Sequence, residues 1–139
     1  MATAAWSFIS AALSYCQTLG YHRLQPQTER RSDDQREVEI SLFWVVFRLE
    51  KGMSLRLGRQ SVIGDADITL LTIPNEDRAI RAARIQGQVF DQLYSPTTLP
   101  SLAERRARVL QLADEVRCII RQISLEILVG LSSRSAFVR

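Results

Sequence analysis

Apolar residues recur at spacings of three and four over most of the chain, and this pattern predicts four main helices. The first helix is predicted over Thr3–Leu19, and Gly20 follows it as a left-handed C-terminal cap. The second is predicted over Glu37–Leu57. Between them, the polar and charged segment Tyr21–Arg36 is expected to form an exposed loop.

The first two helices carry wide apolar faces, which indicates burial on more than one side. In the second helix we expect both Trp44 and Leu49 to be buried, because the middle of this helix is predicted to lie at the centre of the core. The two adjacent stripes of the first helix are Trp6, Ile9, Leu13, Cys16 and Phe8, Ala12, Tyr15, Leu19. The apolar positions of the second helix are Leu42, Phe43, Val46, Leu49, Met53 and Leu57, widened by Val45 and Phe47.

The segment Gly58–Pro74 is predicted to be an ordered, extended connector between the second and third helices. Asn75 is the expected N-cap of the third helix, since acidic residues follow it directly. Gly87 lies within that helix, where glycine is unfavourable, and this predicts the close approach of another helix. The inner stripe of the third helix is expected to be Ile80, Ala83, Gly87, Phe90 and Leu93.

Ser101 and Glu104 form a capping-box pair that begins a fourth helix, after a short loop bracketed by two prolines. Gly130 is expected to end this helix. No internal repeat is visible, so a solenoid is disfavoured. The sequence therefore predicts an all-α helical bundle in a single domain, residues 1–139. The apolar seam of the fourth helix is Val109, Leu112, Val116, Ile119 and Ile123.

Composition agrees with a folded globular domain, since 46% of the residues are apolar and 24% are charged. The 18 basic and 15 acidic residues are interspersed, without the dense basic stripe of a DNA-reading module. Cys16 and Cys118 lie in apolar helical patterns and are expected to be buried free thiols. With His22 as the only histidine, a structural zinc site is not expected in this chain.

The first 21 residues contain no charged side chain. Polar residues interrupt this apolar run at helical intervals, and no basic segment or convincing cleavage pattern accompanies it. A buried amphipathic helix is therefore favoured over a signal peptide or a membrane span, and we expect the chain to begin inside a domain.

The order of these elements resembles the fungal-specific transcription factor domain, the middle homology region of zinc binuclear cluster transcription factors. The resemblance covers nearly all of the chain and is strongest from the second helix through the connector. Two departures stand out: Gln60 takes the place of the usual proline, and Val38–Ser41 replaces the usual basic run. The residues that carry the resemblance are Leu19, Gly20, His22, Phe43, Trp44, Glu50, Gly58, Arg59, Asp65, Asp67, Pro74, Leu93, Tyr94 and Ser95.

This resemblance implies a nuclear regulatory domain that modulates transcription by RNA polymerase II. DNA contact and zinc binding would belong to a separate N-terminal module that is absent here, so no cofactor is expected in this chain. Transcriptional co-regulators or a small-molecule effector are the implied partners, and no membrane is expected. For the fourth helix, whose seam is shorter than that of a typical coiled coil, intramolecular packing is the default and a homodimer is the second option. The alternative function is a free-standing helical adaptor or dimerisation module that does not bind DNA.

Arg59 is the first candidate for a functional residue, because a guanidinium after a glycine turn can pair with Glu50, Asp65 or Asp67. Such pairing would hold the connector against the second helix, and we favour this structural role over contact with a ligand.

Three further constellations have a chemical interpretation beside a structural one. Asp65 and Asp67 resemble a carboxylate pair or a metal site, but turn formation is favoured because no third ligand is near. Cys16 and His22 resemble a nucleophile and its base, but a satisfied loop histidine is preferred. The aromatic residues of the first three helices could line an effector cavity, but we prefer to interpret them as ordinary core residues. An enzyme is therefore not expected.

Overall fold

The computed structural model describes residues 2–24, 32–70, 78–95 and 101–135, and all regular structure within them is helical. This confirms the predicted all-α class with four main helices. A 3-10 turn and a π-helical turn add to the helices. The elements in chain order are α1 (Ala2–Thr18), α2 (Asp33–Leu57), the 3-10 turn (Asp65–Asp67), α3 (Arg78–Val89), the π-helical turn (Phe90–Tyr94) and α4 (Leu102–Ser135).

The chain divides into two compact units. Met1–Leu99 contains α1, α2 and α3, and Pro100–Arg139 contains α4. In the first unit α2 is the central helix, because both α1 and α3 pack against it.

The core of the first unit is built around three aromatic residues of α2. The ring centroids of Phe43 and Trp44 lie 5.0 Å apart, and those of Trp44 and Phe47 lie 5.4 Å apart, both edge to face. This geometry is favourable for aromatic quadrupoles. The other buried members of the core are Leu13, Cys16, Ile63, Leu70, Ile80 and Ala83.

Glycines in the left-handed conformation end both α1 and α2, as the sequence predicts for Gly20. Gly20 has φ 76° and Gly58 has φ 62°. In each case the amides of the glycine and the next residue donate back to two carbonyls of the last turn, those of residues 16–17 and 54–55. These paired bonds form Schellman motifs, which satisfy carbonyls that the helix leaves unpaired.

α2 begins at Asp33, four residues before the predicted start, so the prediction of a loop up to residue 36 is wrong there. Ser32 caps the helix by accepting a hydrogen bond from the Gln35 amide at 3.3 Å. Asp33 and Asp34 place negative charge in the first turn. The polar residues that suggested a loop instead satisfy and stabilise the helix N-terminus.

The buried face of α2 is rotated relative to the predicted one. Trp44 is buried as expected, but Leu42, Val45 and Leu49 are 49%, 43% and 52% exposed. The residues that turn inward in the second half of the helix are polar: Glu50, Lys51 and Ser54. Counting apolar positions misses these residues because their burial depends on partners elsewhere in the chain.

α1 buries one stripe and exposes the other. Leu13 and Cys16 are buried, whereas Phe8 and Tyr15 are 78% and 72% exposed. The expectation of burial on two sides is therefore wrong for this helix.

α3 places Ile80, Ala83 and Gly87 inward as predicted, and Phe90 lies half-buried in the π-helical turn. The expected cap at Asn75 lies outside the described residues.

α4 has the predicted capping box. The Ser101 amide donates to Glu104 Oε2 at 2.8 Å, and the Glu104 amide donates to Ser101 Oγ at 3.3 Å. The helix continues through Gly130 to Ser135, so the predicted end at Gly130 is wrong. Glycine inside a helix lowers its stability without necessarily ending it.

Candidate functional site

Five polar residues join the C-terminal half of α2 to the connector that follows it. We call Glu50, Lys51, Ser54, Ser61 and Asp65 the clasp. The first three lie within two turns on the inner face of α2, and the last two belong to the connector. All of them are buried or half-buried.

Glu50 is fully buried, and its carboxylate is satisfied by three donors. The hydroxyls of Ser54 and Ser61 donate to it at 2.7 Å and 2.6 Å, and the Val62 amide donates at 3.2 Å. A buried carboxylate is tolerated only when such donors replace its water. Two of the three donors come from the connector, so this one side chain fixes the connector against α2.

Lys51 is the cation of the clasp, and only 2% of it is exposed. Its ammonium group donates to the Ile63 carbonyl at 2.8 Å. It also lies 3.8 Å from Asp65 Oδ1, a distance for charge pairing rather than a hydrogen bond, and 5.3 Å from the centroid of Phe47. Lys51 therefore holds the connector at points just beyond those that Glu50 holds.

Gly87 of α3 makes room for the Lys51 side chain. A Cβ atom at this glycine would lie 2.9 Å from Lys51 Nζ and 3.2 Å from its Cδ. The close approach predicted for Gly87 is thus confirmed, and the approaching helix is α2.

Trp6 links α1 to the clasp. Its indole Nε1 donates to Ser54 Oγ at 2.8 Å, and the same hydroxyl donates onward to Glu50. The guanidinium of Arg59 lies 4.5 Å from the centroid of the Trp6 ring. The chain of contacts therefore runs from α1 through α2 into the connector.

Arg59 does not take its predicted place opposite Glu50, Asp65 or Asp67. It is exposed and lies on the face of Trp6 as a cation–π contact. The prediction fails because hydroxyl and amide donors already satisfy Glu50, and Asp65 faces Lys51 instead.

His22 lies in the turn after α1 and fastens that turn to the far end of the connector. It is 4% exposed; its carbonyl accepts from the Thr69 amide at 3.1 Å, and its Nε2 accepts from Arg23 Nε at 3.0 Å. Nδ1 is buried without a hydrogen-bond partner. The expectation of a satisfied loop histidine is wrong on this point. Burial lowers the pKa of His22, the Arg23 charge lowers it further, and Asp67 opposes both.

Comparison with known families decides what this arrangement belongs to. The sequence model described as "Fungal specific transcription factor domain" matches residues 2–128. The chain belongs to this family. The match spans α1, α2 and α3 and most of α4, together with the whole clasp. No curated protein matches the chain. No solved structure matches it either.

The family consists of transcription factors, which are not enzymes. Asp65 and Asp67 of this fungal transcription factor domain have structural contacts. Asp67 Oδ2 accepts from the Gly64 amide at 3.1 Å and so closes the 3-10 turn, which agrees with the favoured turn role. Asp65 Oδ1 lies 3.8 Å from Lys51 Nζ and pairs with its charge. Among the residues that the structure describes, no group of three metal-ligating side chains occurs.

The two cysteines of the domain differ in environment. Cys16 is buried as expected, and burial raises the pKa of its thiol, against the effect of its backbone hydrogen bond. A thiol with a raised pKa is a poor nucleophile. Cys118 is exposed, so the prediction that it is buried is wrong.

The remaining motif residues lie at helix ends and in the core. Leu19 and Gly20 form the turn after α1, and Phe43 lies in the core beside Trp44. Leu93, Tyr94 and Ser95 lie in or next to the π-helical turn, where the Ser95 amide donates to the Phe90 carbonyl at 2.9 Å. Pro74 lies outside the described residues. The motif positions around the clasp meet in space.

Sequence reasoning missed Lys51, Ser54 and Ser61, which have central roles in this domain. One signal was present: Lys51 is the only lysine among 18 basic residues, and it stands beside an acidic residue, Glu50, in a helix with a wide apolar face. The serines gave none, because isolated serines occur throughout the chain.

A search of the described helices for a segment able to cross a lipid bilayer finds none.

Proposed function

We propose that this domain regulates transcription by RNA polymerase II as the middle part of a nuclear zinc-cluster transcription factor. The observation that carries the proposal is the family match over residues 2–128. A separate zinc module would read DNA and hold the zinc ions. The partners of this domain would be transcriptional co-regulators or a small-molecule effector, without a cofactor in this chain.

The clasp supports a regulatory role rather than a catalytic one. Glu50 and Lys51 are almost completely buried, and their hydrogen bonds go to other parts of the same unit. Groups used in this way are not free to react with a substrate. They connect α1, α2 and the connector, so a partner bound to one of these elements changes the energy of the others.

A reporter assay tests this function. The chain is fused to an unrelated DNA-binding module and expressed in fungal cells with a reporter gene that carries the module's site. We expect the fusion to raise or lower reporter output several-fold relative to the module alone. Unchanged output from a folded, nuclear fusion would contradict the proposal.

Two matched substitutions test whether the clasp is needed for the regulatory effect. Glu50→Gln removes the buried charge, and Glu37→Gln makes the same chemical change at an exposed position of α2. We expect the first to abolish most of the reporter effect at equal protein level and the second to preserve it. Equal effects of both substitutions would exclude the clasp as the regulatory element.

A further inference from the structure

The turn after α1 is tied to the later part of the connector by two hydrogen bonds. The Thr69 amide donates to the His22 carbonyl at 3.1 Å, and the Leu24 amide donates to Thr69 Oγ1 at 3.2 Å. We call His22, Arg23, Leu24 and Thr69 the latch. The clasp holds the connector at residues 61–65, so the latch is a separate attachment of the same segment.

The imidazole of His22 is the buried part of the latch. Only 4% of the residue is exposed, and its ring centroid lies 6.3 Å from that of Phe43. Its Nε2 accepts from Arg23 Nε at 3.0 Å, so the neutral ring carries its hydrogen on Nδ1. Nδ1 is buried, and no hydrogen-bond partner for it occurs among the described residues.

Protonation of His22 conflicts with this arrangement at both nitrogens. The second proton must go to Nε2, where it would face the N–H group of Arg23 instead of accepting from it. The new charge would also lie in the core against Phe43, with the Nδ1 hydrogen still unpaired. An open turn removes both conflicts, because it gives the two N–H groups access to water.

The charged groups around the ring oppose its protonation on balance. Burial and the Arg23 charge lower the pKa of the imidazole, and Asp67 of the 3-10 turn acts against them with a smaller effect. α1 has no charged side chain. From α2, Arg36 donates to the Arg23 carbonyl and pairs with Glu39. The closed latch is therefore suited to the neutral ring.

We propose that protonation of His22 opens the latch while the clasp stays closed, so that acidification releases one attachment of the connector and preserves the other. Ile68 and Leu70 flank Thr69 and belong to the packing of the core, so opening would free apolar side chains at this point. Histidine is suited to such a switch because its charge changes near neutral pH. The latch does not depend on the proposed transcriptional function, so either can fail without the other.

Amide hydrogen exchange of the full chain, followed by NMR at pH 7.5 and pH 5.5 and corrected for intrinsic exchange rates, tests this switch. We expect the protection of the Thr69 and Leu24 amides to fall by up to about tenfold at the lower pH. This limit follows because a histidine in the open turn, with the ordinary pKa of 6.5, is about nine-tenths protonated at pH 5.5. The Val62 amide, which donates to Glu50 in the clasp, should keep its protection.

Two variants separate the imidazole from other titrating groups. In His22→Gln, which cannot titrate, the protection of Thr69 should be the same at both pH values. Arg23→Gln removes the opposing charge and the Nε donor, so it should raise the pKa of His22 and reduce the fall in Thr69 protection. His22 is the only histidine of the chain, so its ring resonances report the titration without overlap.

Three results would overturn the switch: Thr69 protection that does not fall at pH 5.5, an equal fall at Val62, which indicates unfolding of the whole unit, or the same fall in His22→Gln. If circular dichroism shows that His22→Gln is unfolded, Arg23→Gln provides the test. A raised pKa of His22 with an undiminished fall at Thr69 would then refute the switch.

Discussion

Glu50 and Lys51 are neighbours of opposite charge, yet neither pairs with the other. Adjacent side chains of a helix point about 100° apart, so each finds its partners in the connector. Buried charges contribute little net stability even when all their partners are present. Removing one partner, however, strongly destabilises the fold because it leaves a buried charge uncompensated. The clasp is therefore the place where single substitutions should have the largest effects.

Replacement of Glu50 by glutamine should destabilise the first unit by about 1–3 kcal/mol. The amide keeps the shape of the side chain, but its NH₂ group would face the donors that now point at the carboxylate. Urea unfolding followed by the fluorescence of Trp6 and Trp44 measures this loss. Glu37→Gln, which is exposed, should change stability by less than about 0.5 kcal/mol. Similar losses for both variants would argue against the hydrogen bonds of Glu50.

Gly87 and Gly52 should respond in opposite ways to alanine. At Gly87 a Cβ atom would lie 2.9 Å from the buried Lys51 ammonium, so we expect a net loss on the order of 1 kcal/mol despite the gain in helix propensity. At Gly52 the nearest atom is Gln86 Oε1 at 3.5 Å, an ordinary contact. Gly52→Ala should therefore stabilise the protein by about 0.5–1 kcal/mol. Urea midpoints compare the two, and stabilisation by Gly87→Ala would show that Lys51 moves freely.

The buried His22 should make stability depend on pH. Its pKa in the folded state is lowered below the ordinary value of 6.5, because burial and the Arg23 charge oppose protonation. The unfolded state then binds more protons, so this contribution to stability is complete above about pH 6.5 and is lost as pH falls through the folded pKa.

Urea unfolding at pH 7.5 and at pH 5.5 measures the His22 effect. The loss of stability between these pH values should be smaller in His22→Gln, which cannot titrate. An unchanged loss in the variant would assign the pH dependence to other groups.

At the scale of elements, the helix ends are the most local features of the fold. Gly20 and Gly58 end α1 and α2 by the same paired hydrogen bonds, and Ser32 and Ser101 begin α2 and α4 by accepting from backbone amides. Each of these motifs involves only four to six consecutive residues. The sequence predicted Gly20 and Ser101 in these roles, whereas Ser32 was missed because its acidic neighbours made the segment look like a loop.

Substitution of Ser101 by alanine should weaken the first turn of α4 by about 1 kcal/mol. The same substitution should raise the pKa of Glu104 toward its ordinary value, since the hydroxyl and amide of Ser101 now lower it. Carboxyl chemical shifts over a pH titration measure the pKa, and amide hydrogen exchange measures the turn. A Glu104 pKa that does not change in Ser101→Ala would exclude the Ser101 hydroxyl as a cause of the lowered pKa.

At the scale of the whole molecule, the distribution of charge predicts a chain that does not read DNA by itself. The net charge is only +3, and several arginines have partners within the protein. Arg36 pairs with Glu39 at 3.4 Å, Arg117 pairs with Asp114 at 2.7 Å, and Arg59 lies on Trp6. The basic residues are interspersed with 15 acidic ones, without the dense basic stripe that phosphate contacts require in DNA-binding proteins.

The isolated chain should bind DNA weakly and without sequence preference. In fluorescence anisotropy with two unrelated duplexes, we expect equal affinities that disappear as salt is raised from about 50 to 200 mM. Tight binding of one duplex that persists at the higher salt concentration would contradict this expectation.

The sequence by itself determined the number of helices, the cap of α1 at Gly20, the cap of α4 at Ser101 and the aromatic centre of α2. These follow from spacing and caps, because the backbone of a helix satisfies its own hydrogen bonds within a few residues. The family pattern was visible for the same reason, since it consists mostly of such local signals.

Only the tertiary structure decided which faces are buried and which polar groups meet. Leu49 is exposed while Lys51 is buried, because the connector returns to α2 with a carbonyl and a carboxylate at the height of the lysine. The sequence predicted that Arg59 would pair with the acidic residues there, but Arg59 lies on the ring of Trp6 instead. A buried charge is stable only where distant residues supply its partners, and their arrival at one point is a property of the folded chain.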